Sequence, residues 1–407
     1  MDLYKQFYGE DFDKQYFESN SCGHTALEIA HQPAMWRALG KILQENKQAI
    51  QNFMGSINSK CSWDGVRIIM TGAGSSGYVG RAVSGFVAAS TGIISEAIHT
   101  TDIVTAPETY LHPDTPTLLI SFARSGNSPE SVGAVEYARK IVKDLYEIAI
   151  VCDGESRLSA ITKESDKSLL LVMPEGTNDK GFAMTSSVSC MIIAGWAAFN
   201  ADEIDLISVD LDKLANQVEN NSRKMAEVAG TCASWGAERA WYLGSGPLTS
   251  LVCEGSLKMM ELTNGDVVAG HSNSAEFRHG PKTVINPKTM TIHFISGNDF
   301  TAKYDVDLLK ELYSQRDGNR VVAIFADGKE DITNFADLSV PYFIQNNEGN
   351  HCDKLSLHIC VGMQGLVFMQ MLSMFTSLAL NVTTDNPSPD GLVNRVVQGV
   401  TVYPYED

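Results

Sequence analysis

The feature that most constrains this chain is a duplication. VRIIMTGAGSSGYVG (66–80) is an apolar run ending in a Gly/Ser turn; RAWYLGSGPLTS (239–250) has the same shape, and Gly74 and Gly246 lie 172 residues apart. TLLISFARSGNSPES (117–131) is matched by MTIHFISGNDF (290–300), with Ser125 and Ser296 171 apart. EIAIVCDGES (147–156) is matched by RVVAIFADGKE (320–330), with Asp153 and Asp327 174 apart. Three strand–turn units at one offset predict two copies of a single domain.

Within each copy, apolar strands alternate with stretches of helical spacing such as AVSGFVAAS (82–90) and SVGAVEYARKIVKDL (131–145). That alternation predicts an α/β fold, a parallel sheet covered on both faces by helices. The expected organisation is two tandem doubly wound domains of three layers (αβα), over 46–204 and 230–385. An N-terminal helical segment covers 1–45, a polar helical linker 205–229, and a Pro/Gly-punctuated tail 386–407.

Charge narrows the function. Forty-nine acidic residues against 31 basic ones give a net −18, a surface that repels nucleic acid and anionic lipid. An anionic substrate must then be held by local dipoles and a few cations. The eight cysteines form no CxxC pair and sit mostly in apolar runs, as expected of reduced thiols in the cytoplasm. The N-terminus MDLYKQFYGEDFDKQ lacks the basic and apolar regions of a secretory signal. The uncharged stretch from His358 to Thr384 is long enough to span a bilayer. It carries Gln364, Gln370, Ser373, Thr376, Ser377 and Asn381, so a helix buried within the protein, and no membrane contact, is expected.

GAGSSG (72–77) formally matches the dinucleotide fingerprint GxGxxG. Its copy, Gly244-Ser245-Gly246-Pro247, breaks that pattern, and only Asp102 follows as an acid for a ribose. Paired serines on a strand-to-helix turn suit a terminal phosphate better: the helix end and the hydroxyls supply donors. The second turn adds Arg124, Ser125 and Ser128, so Ser75, Ser76, Arg124, Ser125 and Ser128 form the candidate phosphate cradle.

The second copy carries the candidate acid/base groups. Glu254, Lys258 and Glu261 are spaced i, i+4, i+7 and share one helix face. Fifteen residues on stands Glu276-Phe277-Arg278-His279-Gly280-Pro281. Acids, a lysine and a histidine grouped this densely suggest proton-transfer chemistry. His271 and His279 lack a metal-ligand spacing, so no metal is assigned; the remaining histidines, His271 and His293 among them, are expected to be structural or exposed.

In GAGSSGYVG, SFARSGNSPES, EGTNDKGFAMTSS, EFRHGPKTVI and NPSPDGLVNRVVQGV the chain resembles proteins with two tandem sugar isomerase (SIS) domains. It is similar to the isomerase half of glucosamine-6-phosphate synthase and more so to the AgaS-like galactosamine-6-phosphate deaminase / tagatose-6-phosphate ketose–aldose isomerase group. The resemblance implies two doubly wound SIS domains. It assigns phosphate-binding hydroxyls to Ser75, Ser76, Ser125 and Ser128, with Ala123-Arg124 replacing the family's frequent Ser-Gln. Glu261 matches its proton-shuttling glutamate, and His279 its ring-opening histidine, reached across a subunit interface. Lys258 matches a lysine near the sugar and Thr185 a position contacting sugar hydroxyls, and Glu276 joins the substrate-binding set. Gln398 stands where the synthase has its Schiff-base lysine, and no Cys follows Met1, so glutamine-dependent synthesis is not expected.

The implied activity is a cofactor-free isomerising deamination of a 6-phosphohexosamine, galactosamine 6-phosphate giving tagatose 6-phosphate and ammonia, in a cytoplasmic homodimer or higher homo-oligomer. The alternative is an aldose–ketose isomerase acting on tagatose 6-phosphate without ammonia release. A sugar-phosphate-sensing regulator is less favoured, because it needs no Glu261/His279 pair and carries a DNA-binding domain.

Overall fold

A computed structural model describes residues 14–315, 317–326, 330–342, 352, 354–397 and 399–406. Gln398 and the Asp327-Gly328 turn of the third repeat pair lie outside the described residues.

Helices α1 (Lys14–Ser19), α2 (Gly23–Ala30) and α3 (Gln32–Cys61) lead into the first sheet. There follow β1 (Arg67–Gly72), α4 (Ser75–Thr91), β2 (Glu96–His99), α5 (Thr100–Thr105), α6 (Pro107–Tyr110), β3 (Thr117–Ala123), α7 (Pro129–Ile141), β4 (Leu145–Val151), α8 (Arg157–Thr162), β5 (Ser168–Val172) and α9 (Ser186–Ala198). Helix α10 (Ile204–Ala233) precedes the second sheet: β6 (Arg239–Gly244), α11 (Thr249–Leu262), β7 (Val268–Ser272), β8 (Thr289–Phe294), α12 (Asp299–Ser314), β9 (Arg320–Ala326), β10 (Leu338–Tyr342) and α13 (Leu357–Ala379).

Both sheets are five-stranded and wholly parallel. Their orders, β2-β1-β3-β4-β5 and β7-β6-β8-β9-β10, are the same order twice. The duplication extends to register: Arg67 pairs with Thr117 in the first sheet, and Arg239 with Thr289 in the second. Central strand β3, TLLISFA, is buried at every position, which is why it reads as an unbroken apolar run rather than an alternating one.

The chain divides into two compact units that interleave along the sequence. The first holds the described residues within Met35–Asp179, Ser186–Val209 and Val393–Asp407. One face of its sheet packs on α5 and α7 through Ile103, Leu119, Ala134, Tyr137 and Val151, and Val402 and Tyr405 of the tail join that cluster. The tail is pinned there: Tyr137 donates its hydroxyl to the Tyr403 carbonyl, and Lys140 Nζ donates to the Tyr405 carbonyl at 2.6 Å.

The second unit holds the described residues within Met1–Ala34, Lys180–Thr185 and Asp210–Leu392. Here α1 and α2 return to the second sheet's unit: the Asp385 carboxylate accepts from Thr25 N and Thr25 Oγ1, both at 2.8 Å. Helix α13 is long and apolar enough to cross a membrane, and its apolar window is entirely buried inside the protein. It packs on α11 at Gly255, where an added Cβ would stand 2.1 Å from Met369 Sδ. The eight cysteines form no disulfide, and burial pushes the Cys22 and Cys152 thiols up to about 12.

Candidate functional site

In the first unit, β2 lies on one side of β1 and β3 on the other. At such a switch point the chain leaves the two central strands in opposite directions, opening a crevice at their carboxyl ends where doubly wound proteins bind ligands. The two Gly/Ser turns end β1 and β3 there. Gly74 has φ +56°, a left-handed conformation that favours glycine, and it starts α4 so that Ser75 and Ser76 form the first helical turn. Both serines are buried. The 17-residue helix directs the positive end of its dipole to this edge.

The second turn is more constrained than its composition suggests. Gly126 has φ +60°, and a Cβ there would stand 2.3 Å from Ser156 Oγ. Ser128 is the N-cap of α7: its hydroxyl accepts from Ser131 N at 3.2 Å, and Pro129 occupies the first helical position. Arg124 is buried and donates through Nη2 to the Arg395 carbonyl at 2.7 Å. Arg395 in turn donates through Nε to the Asp179 carbonyl at 2.9 Å, so Arg124 belongs to a tie between the turn and the tail. Ser75, Ser76, Arg124, Ser125 and Ser128 therefore share one sheet edge, with Ser128 and Arg124 also carrying structural loads.

Asp179 was not singled out from sequence. It is fully buried, and its carboxylate accepts from Ser186 Oγ at 2.5 Å, Ser187 Oγ at 2.5 Å and Ser187 N at 3.0 Å. It caps α9, a helix with every residue buried and no polar face to mark where it starts. The available signal is an acid a few residues ahead of Ser-Ser and an apolar run.

In the second unit, α11 carries the predicted carboxylate row. Lys258 is fully buried; its Nζ lies 3.3 Å from Glu254 Oε1 and in close contact with Glu261 Oε2. Burial alone lowers the lysine pKa, but the two carboxylates outweigh it and hold the ammonium above its ordinary value. Glu254 is as buried as the lysine, whereas the Glu261 side chain is 26% exposed. Of the three, Glu261 alone reaches solvent: a carboxylate next to a fixed positive charge, open to a substrate. Thr185 is also buried in this unit, and its carbonyl accepts from Gln370 Nε2 at 3.3 Å.

Glu276 and His279 do not join that row within the chain. They lie in the 3-10 turn Glu276–His279 and are exposed. The turn is anchored by Phe277, buried among Leu243, Leu308 and Leu312, and by Arg278 Nε donating to Glu311 Oε2 at 2.7 Å. His271 meets α11 instead, its Nδ1 3.1 Å from Ser256 Oγ. His293 is buried in β8, where desolvation pulls it down to about 3 and its Nε2 lies 3.1 Å from Thr291 Oγ1. Among the described residues, no three His, Cys, Asp or Glu side chains gather as a metal site.

Residues 63–201 match the SIS domain family. D-galactosamine-6-phosphate deaminase AgaS of Escherichia coli is 36% identical over 384 residues, 94% of this chain and 96% of that one. A solved structure from Clostridium novyi is 36% identical with a TM-score of 0.89, covering 96% of this chain and 98% of its own. The solved tagatose-6-phosphate ketose/aldose isomerase of Escherichia coli is 33% identical with a TM-score of 0.82, covering 94% and 97%. Likeness at this level, sustained over nearly the full length of both partners, makes the chain a member of the AgaS family of SIS-domain proteins.

Proposed function

We propose that this protein is a cytoplasmic isomerising deaminase that converts galactosamine 6-phosphate and water into tagatose 6-phosphate and ammonia. The observation that carries the reading is the near-full-length match to D-galactosamine-6-phosphate deaminases at 34–36% identity. The SIS match over 63–201 and the repeat offset support taking 46–204 and 230–385 as the two SIS copies, with 205–229 between them and 1–45 and 386–407 outside. The unbridged, buried thiols suit a reducing compartment.

The reading gives each group one task. Ser75, Ser76, Ser125 and Ser128, at the N-terminal turns of α4 and α7, hold the 6-phosphate, with Arg124 fixing the second turn. His279 moves a proton between the ring oxygen and O1 to open the pyranose. Its exposure on an anchored turn suits action on a neighbouring subunit's substrate in a homo-oligomer. Glu261 takes the C2 proton of the open aldose and returns it at C1, so that the aldehyde is reduced as C2 is oxidised and a C2 ketimine forms. Water adds at C2 and ammonia leaves. Lys258, Glu276 and Thr185 complete the substrate contacts. The buried Lys258 ammonium contacts the Glu261 carboxylate and orients it, which general-base work requires.

The deciding assay is ammonia release from galactosamine 6-phosphate, with glucosamine 6-phosphate in parallel. Release from the galacto substrate supports the reading. Release from the gluco substrate alone overturns the specificity, and no release from either favours the second reading, an aldose–ketose isomerase, a name borne by the solved Escherichia coli relative. Glu261→Gln is expected to lower kcat by about 10²–10⁴-fold with KM little changed. Ser76→Ala is expected to raise KM about tenfold, the scale of one hydrogen bond to a charged group.

A further inference from the structure

The second sheet repeats the switch point of the first, with β7 on one side of β6 and β8 on the other. The backbone device is retained: Gly246 after β6 has φ +59° where Gly74 after β1 has +56°. The hydroxyls are rearranged: Ser296 after β8 matches Ser125, Pro247 and Leu248 stand where Ser75 and Ser76 do, and Ser245 takes the place of Ala73 just before the glycine; Ser245 and Ser296 are both buried. The difference is what those donors face. Asp305, on the second turn of α12, is 1% exposed. Its carboxylate accepts from Ser245 Oγ at 2.5 Å, from Ser274 Oγ at 2.6 Å and from Ser296 N at 2.9 Å. Two hydroxyls and a backbone N–H, drawn from the turns that follow β6, β7 and β8, converge on one oxyanion.

The first copy has no such side chain. Whether α7 and α12 are matched by the offset of the turns that precede them (171 or 172) or by their caps, Ser128 and Asn298, the position of Asp305 falls on Gly133, Ala134 or Val135. None of these carries a polar atom beyond the backbone.

We propose that Asp305 is a resident anion: its carboxylate stands in the second copy where a phosphate group binds in the first. The chain therefore has one working oxyanion cradle, at Ser75/Ser76, and one latent cradle that Asp305 keeps closed to phosphate and uses to fasten α12 to the sheet. This rests on the phosphate reading of the first cradle. The ligand class of the latent cradle is a tetrahedral oxyanion.

The test uses the full chain, inorganic phosphate, equilibrium dialysis and thermal melting. The wild type is expected to bind one phosphate per chain, and Ser75→Ala/Ser76→Ala to bind none. Asp305→Ser is expected to lower Tm by about 5 °C or more. Millimolar phosphate or sulfate should restore that loss, where chloride at equal ionic strength does not, and a second phosphate should bind. The second phosphate should survive in the triple variant with Ser75→Ala/Ser76→Ala. An unchanged Tm in Asp305→Ser, or no specific rescue by phosphate, overturns the proposal. If Asp305→Ser does not fold, the Ser75→Ala/Ser76→Ala variant still decides: stoichiometric phosphate bound there means the second cradle is open, which overturns it. A wild type that binds no phosphate sinks the reading of the first cradle, while rescue of Asp305→Ser still reports on the second.

Discussion

The buried Glu254–Lys258 pair on α11 gives the sharpest energetic prediction. At 3.3 Å and an effective dielectric of about 20, one such pair is worth about 5 kcal/mol of Coulomb energy. Glu254→Gln keeps the shape and removes the charge. Glu261 still faces the ammonium, but it is partly exposed and contributes a screened attraction. The expected net loss is about 3 kcal/mol, the lower end of the cost of leaving a buried charge short of its partner. The assay is urea unfolding at pH 7 followed by circular dichroism, where this loss moves the midpoint by about 1 M. Glu254→Leu/Lys258→Met removes the pair together and is expected to return within about 1 kcal/mol of wild type, because a packed apolar pair needs no desolvated charge. A single variant within about 0.5 kcal/mol of wild type, or a double variant less stable than the single, refutes the argument that burial makes this pair interdependent.

Two further expectations follow from the same kind of reasoning. Ser128→Ala should lose the α7 cap and about 1 kcal/mol of stability, whereas Ser128→Asp should keep the cap and still raise KM by placing a negative charge beside the phosphate; chemical unfolding and steady-state kinetics separate the two roles. His293 has a folded pKa of about 3, below its unfolded value near 6.5, so the unfolded state binds the extra proton between these limits. Its contribution is present above about pH 6.5 and is lost at up to about 1.4 kcal/mol per pH unit as the pH falls; unfolding free energies from pH 7 to 4 should show a shallower acid slope in His293→Gln than in wild type.

The sheets were legible because parallel strands buried on both faces leave continuous apolar runs, and the duplication printed those runs twice. The paired turns were legible for a related reason: φ above zero at Gly74 and Gly126 selects glycine, and the helix starts select Ser and Pro. The face shared by Glu254, Lys258 and Glu261 followed from helical spacing, but its burial did not, since a solvated face has the same spacing. Asp179 and Asp305 were invisible for the converse reason. A lone acid in a polar loop or on an amphipathic helix reads as surface, and only the folded chain brings the hydroxyls that satisfy it. Glu276 and His279 share Glu261's chemistry but not its helix: Phe277 and Arg278 fix their turn against Leu243, Leu308, Leu312 and Glu311.

The way α1 and α2 join the second sheet's unit bears on the order in which the protein is made. The contact of Thr25 with Asp385 closes a span of 360 residues. During translation the first helices must wait, unsatisfied, until nearly all of the chain has left the ribosome, while the strands of the first sheet, β1 to β5, emerge as a contiguous stretch able to pair early. The apolar faces of α1, α2 and the late-arriving α13 are the surfaces a holding chaperone would meet on the nascent chain. Circular permutants that start between the two copies would shorten that wait.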